Sequence, residues 1–511
     1  MGEHILDGGP LTIAQVVDVA RLGGEVRIGE VAHRRMAAAR QRVEQLAASD
    51  TPAYGISTGF GSLANRHIPV DQRIQLQRSL VRSHAAGMGP PVEVEVVRAT
   101  MLLRLRTLCT GHTGVRPEVA TLLAGLLNAN ITPVVREHGS LGCSGDLAPL
   151  AHIALVLMGE GEAAGLDGVV APTPQLLANA GLTAVELREK EGLALINGTD
   201  GMLGMLALAC HDLTLLAQTA DIAAALSVEA LLGTDQVFLP ELQALRPHVG
   251  QAASAANLLA LLAGSEIVAS HRDGDTRVQD AYSLRCHPQV AGAARDTLAF
   301  AKQTADIELA SAIDNPAVLD DGRVRSSGNF HGAPIGFACD FLAIAAAEVG
   351  SVAERRTDRH LDHHRSHGLP PFLADDPGVD SGYMIAHYTQ AAMVAENRRL
   401  AAPASVDSIP TSAMQEDHVS MGWGAARKLR VVLDNLTRII AVELATASRA
   451  AALRAPLPSS APLAAVRLVV DAATGGPGAD RFLSPELGAV ERAVRTGAMI
   501  RAVQRCGVTL Q

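Results

Sequence analysis

Alanine, leucine and valine recur at helical spacing across residues 31–48, 92–108, 202–232, 338–362 and 425–453, with Glu and Arg on the intervening positions. Each run is too long for an ordinary strand, so the pattern predicts a mainly α fold. Alternating, strand-like patterning is confined to short pieces such as residues 320–325, which predict a small hairpin. Between the helical runs lie Gly-rich polar segments at 54–62, 137–146, 197–201, 277–288, 314–331 and 405–418. Loops carried on a rigid scaffold are where catalytic groups concentrate, and these segments are the places to seek chemistry. The shorter helices and most loops fall early and the longest helices late. The expected division is a loop-rich helical part over residues 1–200 and a helical bundle over 201–511, with no repeat or low-complexity linker.

Composition narrows the function. A chain of 511 residues, 48% hydrophobic and 19% charged, has ample material for a large core. Its formal net charge of -10 offers no basic field for nucleic acid or anionic lipid, so a small-molecule partner is expected. The opening MGEHILDGGP lacks the basic start and apolar run of a secretion signal. Apolar stretches such as 204–216 are interrupted, here by His211 and Asp212, and none reads as a bilayer span. Cys109, Cys143, Cys210, Cys286, Cys339 and Cys506 show no paired short spacing, which fits a reducing, cytoplasmic setting. Lysine occurs only at 190, 302 and 428, leaving few anchors for a pyridoxal phosphate Schiff base.

The segment GSLGCSGDLAPLAH, residues 139–152, sets three glycines around Cys143 and Ser144 before an apolar run that starts after Asp146. Its plain interpretation is a Gly-rich turn with Asp146 as a helix N-cap. The segment also resembles the signature of the aromatic amino-acid ammonia-lyase family, in which an Ala-Ser-Gly tripeptide cyclises into a methylidene-imidazolone (MIO) electrophile. The chemistry required can be followed residue by residue. Gly145 has no side chain to keep its amide nitrogen from the carbonyl carbon of Cys143. Ser144 carries the hydroxyl whose loss leaves an exocyclic alkene, and the flanking glycines permit a strained backbone. Cys143 stands where most of the family has alanine; its side chain lies outside the ring-forming bonds, and a cysteine here is similar to actinobacterial histidine-acting members. The competing view, Cys143 as a catalytic nucleophile, lacks a dedicated base beside it.

Further motifs follow in the family's order and extend the resemblance over nearly the whole chain. AYGISTGFG (53–61) implies Tyr54 as a catalytic tyrosine near the electrophile, and SHAAG (83–87) implies His84 facing the substrate ring. KEGLALINGTD (190–200) carries Asn197, implied at the substrate's amino-acid end. VQDAYSLRC (278–286) carries Gln279, Tyr282 and Arg285; GNFHGAPI (328–335) carries Phe330; SAMQEDHVSMGW (412–423) carries Glu416. Singly, each has a bland alternative: a packing Tyr or Phe, a satisfied polar His, a local ion pair for an Arg near Asp280. Together the resemblance implies elimination of ammonia from L-histidine to urocanate, the first step of histidine degradation. It implies no external cofactor, and a homotetramer whose active sites are shared between subunits. Tyr282 is the implied general base, Arg285 the fork for the substrate carboxylate, and Glu416 with His84 the partners of the imidazole.

The rival on the same scaffold acts on phenylalanine or tyrosine, as lyase or aminomutase; a phenyl ring would leave His84 and Glu416 unpaired. A rival of another class is a helical scaffold that never cyclises. Ser79 and His287 depart from the residues common in relatives, at positions to which no chemistry is assigned. In RHLDHHRSH (359–367), His360, His363, His364 and His367 include spacings open to a metal. Basic neighbours and the stop at Gly368-Leu369-Pro370-Pro371 favour a solvated helix end, so no metal is expected.

Overall fold

The structure is a computed structural model describing residues 2–49, 52–59, 61 and 65–511; Phe60 and Ser62 of the first polar loop lie outside the described residues. The chain divides into two compact units, one of Met1–His211, Ala301–Asp340 and Pro403–Arg427, the other of Asp212–Phe300, Phe341–Ala402 and Lys428–Gln511.

The long helices form where apolar periodicity places them: Glu30–Ala47, Val94–Cys109, Asp200–Ala230, Ala333–Leu361 and Gly422–Ala452. The fourth begins five residues earlier than the pattern suggests, because APIGF has no polar positions from which a period can be read. In the first unit, Ala32, Met36, Ala39 and Val43 form the buried stripe of the Glu30–Ala47 helix. Ala39 and Val43 pack with Ile56 and Val318. The Val94–Cys109 helix is buried almost all round. Its three buried arginines bind neighbouring segments instead of water: Arg98 donates to the carbonyls of Val19 and Leu127, and Arg106 to that of Gly9. Strands are short, as two- or three-stranded ribbons. Ala317–Val318 pairs antiparallel with Val324–Arg325, so the hairpin expected over 320–325 is present but begins three residues earlier.

In the second unit Ala353, Val394 and Ile439 make a buried cluster. The histidine-rich run corrects the expectation of a solvated helix end at one position. His360 is wholly buried, with both ring nitrogens lacking a hydrogen-bond partner. It lies in the last turn of the Ala333–Leu361 helix on a face that the local charge pattern does not reveal. Among the described residues no group of three or more His, Cys, Asp or Glu is placed to hold a metal. Two stretches, Glu191–Ala230 and Ala333–Leu361, do reach the length and apolarity of a bilayer span, contrary to expectation; the apolar window of the first is entirely buried in the chain, as in a core helix.

Candidate active site

The 139–146 loop is fixed by contacts from far along the chain. The Gly142 carbonyl accepts from Ser420 Oγ (2.8 Å) and from the Gly332 amide (3.1 Å), while the Met421 amide donates to the Leu141 carbonyl (2.8 Å). Three of the recognised motifs therefore meet here. Gly145 has φ +75°, and a Cβ on it would fall 2.2 Å from the Gly198 carbonyl oxygen, so both conformation and space demand glycine. Asp146 precedes the Leu147–Leu157 helix, yet its side chain does not cap it. Its carboxylate instead accepts from the Gly201 and Met202 amides (2.9 Å each) at the start of the Asp200–Ala230 helix, and from Ser140 Oγ (2.9 Å). Burial pushes this carboxyl up to about 7 despite those donors. One acid thus ties the loop to a second helix N-terminus.

The turn facing the loop is held by Arg104. Its guanidinium donates to Asp200 Oδ2 (2.9 Å through Nε) and to the Ala194 carbonyl (3.0 Å), bracketing Asn197 and Gly198. Asn197 Nδ2 donates to the Asn315 carbonyl (3.1 Å), and Ser144 Oγ sits 3.5 Å from Asn197 Oδ1. The amide of Asn197 is thereby fixed with its oxygen toward Ser144.

A cavity of about 460 Å³ lies elsewhere in this unit, among Arg35, Arg42 and Arg106. The larger one, of about 550 Å³, is lined by Tyr54, His84, Ser144, Asn197 and Glu416, with Leu76, Leu80, Leu147, Leu193 and Ile196 as its apolar wall. Five candidate residues from five separate motifs thus share one hollow. Tyr54 accepts through its hydroxyl from the Gly61 amide (3.1 Å). His84 ends the Arg73–His84 helix, and its Nδ1 lies 3.1 Å from Ser83 Oγ, whose hydroxyl donates to the Leu80 carbonyl (3.1 Å). A serine has one hydrogen to give, so His84 Nδ1 is the donor of that pair. Burial lowers its pKa, opposed by the Leu80 backbone and the charge of Glu416, which favours the neutral ring.

Cys143, next to the lining residue Ser144, is buried, with Sγ 3.2 Å from Glu416 Oε2. Burial first, and the nearby carboxylate second, push the thiol up to about 12, so it is a protonated donor to Glu416 and not a thiolate. Glu416 Oε2 also accepts from Thr411 Oγ1 (3.0 Å).

The remaining candidates are not among the residues lining this cavity. Phe330 is half-buried beside the Gly332 contact. Gln279, Tyr282 and Arg285 belong to the second unit and form their own cluster. Arg285 donates to Gln279 Oε1 (2.7 Å) and stands 4.7 Å from the centre of the Tyr282 ring, while Tyr282 is 72% exposed. Among the polar residues lining the cavity, sequence reasoning assigned no role to Ser79, Ser412 and Arg66. Ser79 stands out in the sequence only as a departure from relatives, Ser412 lies inside a recognised motif, and Arg66 carries no signal at all.

The model of the aromatic amino acid lyase family matches residues 11–472. A histidine ammonia-lyase of Streptomyces avermitilis is 65% identical over 495 residues, 97% of each chain. Among solved structures, a tyrosine aminomutase from Streptomyces globisporus superposes with a TM-score of 0.93 at 39% identity over all of both chains. A histidine ammonia-lyase from Trypanosoma cruzi does so with a TM-score of 0.91 at 38% identity, covering 99% of this chain and 95% of its own. With its fold, its glycine-bound serine loop and a match along nearly its whole length, this chain belongs to the aromatic amino acid lyase family.

Proposed function

We propose that this protein eliminates ammonia from L-histidine to give urocanate, with an MIO electrophile formed from Cys143, Ser144 and Gly145. The observation that carries this is the grouping of Ser144 with Asn197, His84 and Glu416 around one cavity. The local structure suits the group: Gly145 is in a left-handed turn with no room for a Cβ, and the loop is held at Gly142 and Asp146 on either side of the tripeptide. When formed, the MIO supplies an electron-poor alkene that makes the substrate's amine a better leaving group. Everything else falls to ordinary side chains.

Glu416 and His84 hold the imidazole: the carboxylate accepts from one ring N–H, and Nε2 of the neutral His84 ring accepts from the other when the substrate ring is protonated. Asn197 and Tyr54 border the electrophile. Tyr282 removes the proton from the carbon next to the imidazole, Arg285 pairs with the substrate carboxylate, and Gln279 and Phe330 complete the pocket. Since these four do not line the cavity of their own chain, we infer that other copies in a homotetramer supply them. The exposure of Tyr282 supports this, because an aromatic ring left in water on an ordered turn suits contact with another molecule. A cytoplasmic setting accords with six unpaired cysteines.

The likeness to a tyrosine aminomutase gives a second reading on the same scaffold. A phenol would leave the carboxylate of Glu416 and the ring of His84 imperfectly paired in a partly desolvated wall, which favours histidine. The test is Ser144→Ala. It should fold and assemble, retain in its intact mass the two waters lost on cyclisation, and lose nearly all turnover. Turnover at the parental rate would overturn the proposal.

A further inference from the structure

Beneath the short Tyr282–Arg285 helix the second unit buries an ionic network that the reaction does not use directly. Asp221, His287, Arg356 and Glu443 are all wholly buried. Arg356 donates through Nε and Nη2 to both oxygens of Glu443 (2.5 and 2.9 Å), and Ser227 Oγ adds a third donor (2.8 Å). Its remaining nitrogen, Nη1, reaches the Ser283 carbonyl (3.2 Å) and His287 Nδ1 (3.1 Å). Arginine can only donate, so Nδ1 accepts, and the ring proton sits on Nε2, which donates to Asp221 Oδ1 (2.9 Å). Asp221 accepts further from Ser254 (2.7 Å), Asn257 (2.8 Å) and Arg295 (2.5 Å). The result is two carboxylates, two guanidinium groups and a neutral imidazole bridging them.

Burying ions costs several kcal/mol each, and a matched pair often adds little stability over an apolar one, so such networks are better understood as fixing one geometry. What this one fixes is the turn. Arg356 grips the carbonyl next to Tyr282 and His287 closes the turn's far end. On the near side Asp280 accepts from the Thr234 amide (2.7 Å). Tyr282 is exposed, yet its backbone is tied from both directions.

We propose that Arg356 and His287, held by Glu443 and Asp221, are positioning residues that set the direction in which Tyr282 and Arg285 are presented to the substrate. The proposal rests on the reading of Tyr282 as the base. It also gives His287, a departure from relatives at the sequence level, a defined task. A glutamine offers the same acceptor and donor, whereas a leucine offers neither.

The test compares histidine turnover and melting temperature of the assembled enzyme for His287→Gln, His287→Leu, the double variant Arg356→Met with Glu443→Leu, and Tyr282→Phe. His287→Gln should stay near the parent. His287→Leu and the double variant should lose roughly 10- to 100-fold in kcat, the scale of a misplacement of about 1 Å, with KM within about two-fold. The double variant, having no unpaired charge, should melt within a few degrees of the parent, separating position from stability. If it fails to assemble, the contrast between leucine and glutamine at 287 decides. Parental kcat in a well-folded His287→Leu, or equal losses in the leucine and glutamine variants, would overturn the proposal while an inactive Tyr282→Phe upheld the base. Parental turnover in Tyr282→Phe would remove both.

Discussion

Replacing Glu416 by glutamine tests substrate choice at its source. Glu416 Oε2 is taken by Thr411 and the Cys143 thiol, whereas Oε1 accepts from no described residue and is free for an imidazole N–H. The side chain is half-buried, so its bond to substrate is formed in partly desolvated surroundings. A hydrogen bond to a charged partner contributes about 1.5–3 kcal/mol, which corresponds to a loss of roughly 10- to 150-fold in kcat/KM for histidine when the charge is removed. Phenylalanine has no ring nitrogen, so any trace turnover of it should be nearly unaffected. The shape of the residue is kept, and the fold should be too. The assay is the initial rate of urocanate and of cinnamate formation, followed by absorbance, in parent and variant, reported as the ratio of the two kcat/KM values. A ratio unchanged within two-fold would refute the role of Glu416 in recognition. Equal losses on both substrates would instead place it in the common chemistry.

Cys143→Ala should still cyclise and stay active, at a stability loss of about 1 kcal/mol for the thiol's packing and its bond to Glu416, measured by melting and intact mass; an unmodified, inactive chain would show that the thiol is needed. Gly145→Ala should fail to cyclise, because its Cβ meets the Gly198 carbonyl at 2.2 Å in a left-handed conformation, and a normal mass loss in this variant would contradict that. His360, buried without partners among Arg454, Arg356 and Arg359, is lowered to about 3, chiefly by burial. Its folded pKa lies below the unfolded value near 6.5, so its contribution is complete above pH 6.5 and is lost as pH falls toward 3. By pH 5 that loss is about 2 kcal/mol, and His360→Leu should narrow the gap in stability between pH 7.5 and pH 5 by that amount. No narrowing would mean that the buried ring is not the acid-sensitive group.

Local sequence fixed a good deal about this protein. The five long helices follow from apolar residues every three to four positions, and that period is a property of neighbours in the chain. The small hairpin is equally local. The tripeptide and the ordered motifs were legible because the chemistry constrains residue types at short range: a hydroxyl at 144 and no side chain at 145. Tertiary structure decided what those residues meet. Asp146 looks like the cap of the helix that follows it, but its carboxylate serves amides at 201 and 202. Cys143 looked inert, and the fold sets its thiol against Glu416, 273 positions away. His360 looked solvated and is buried, because which side of a helix faces the core depends on what packs there. Arg66 borders the cavity without any pattern to mark it. The physical reason is common to all four. Periodicity and residue chemistry act between neighbours, whereas the closing of a site depends on contacts between segments hundreds of residues apart, and on the space those segments leave.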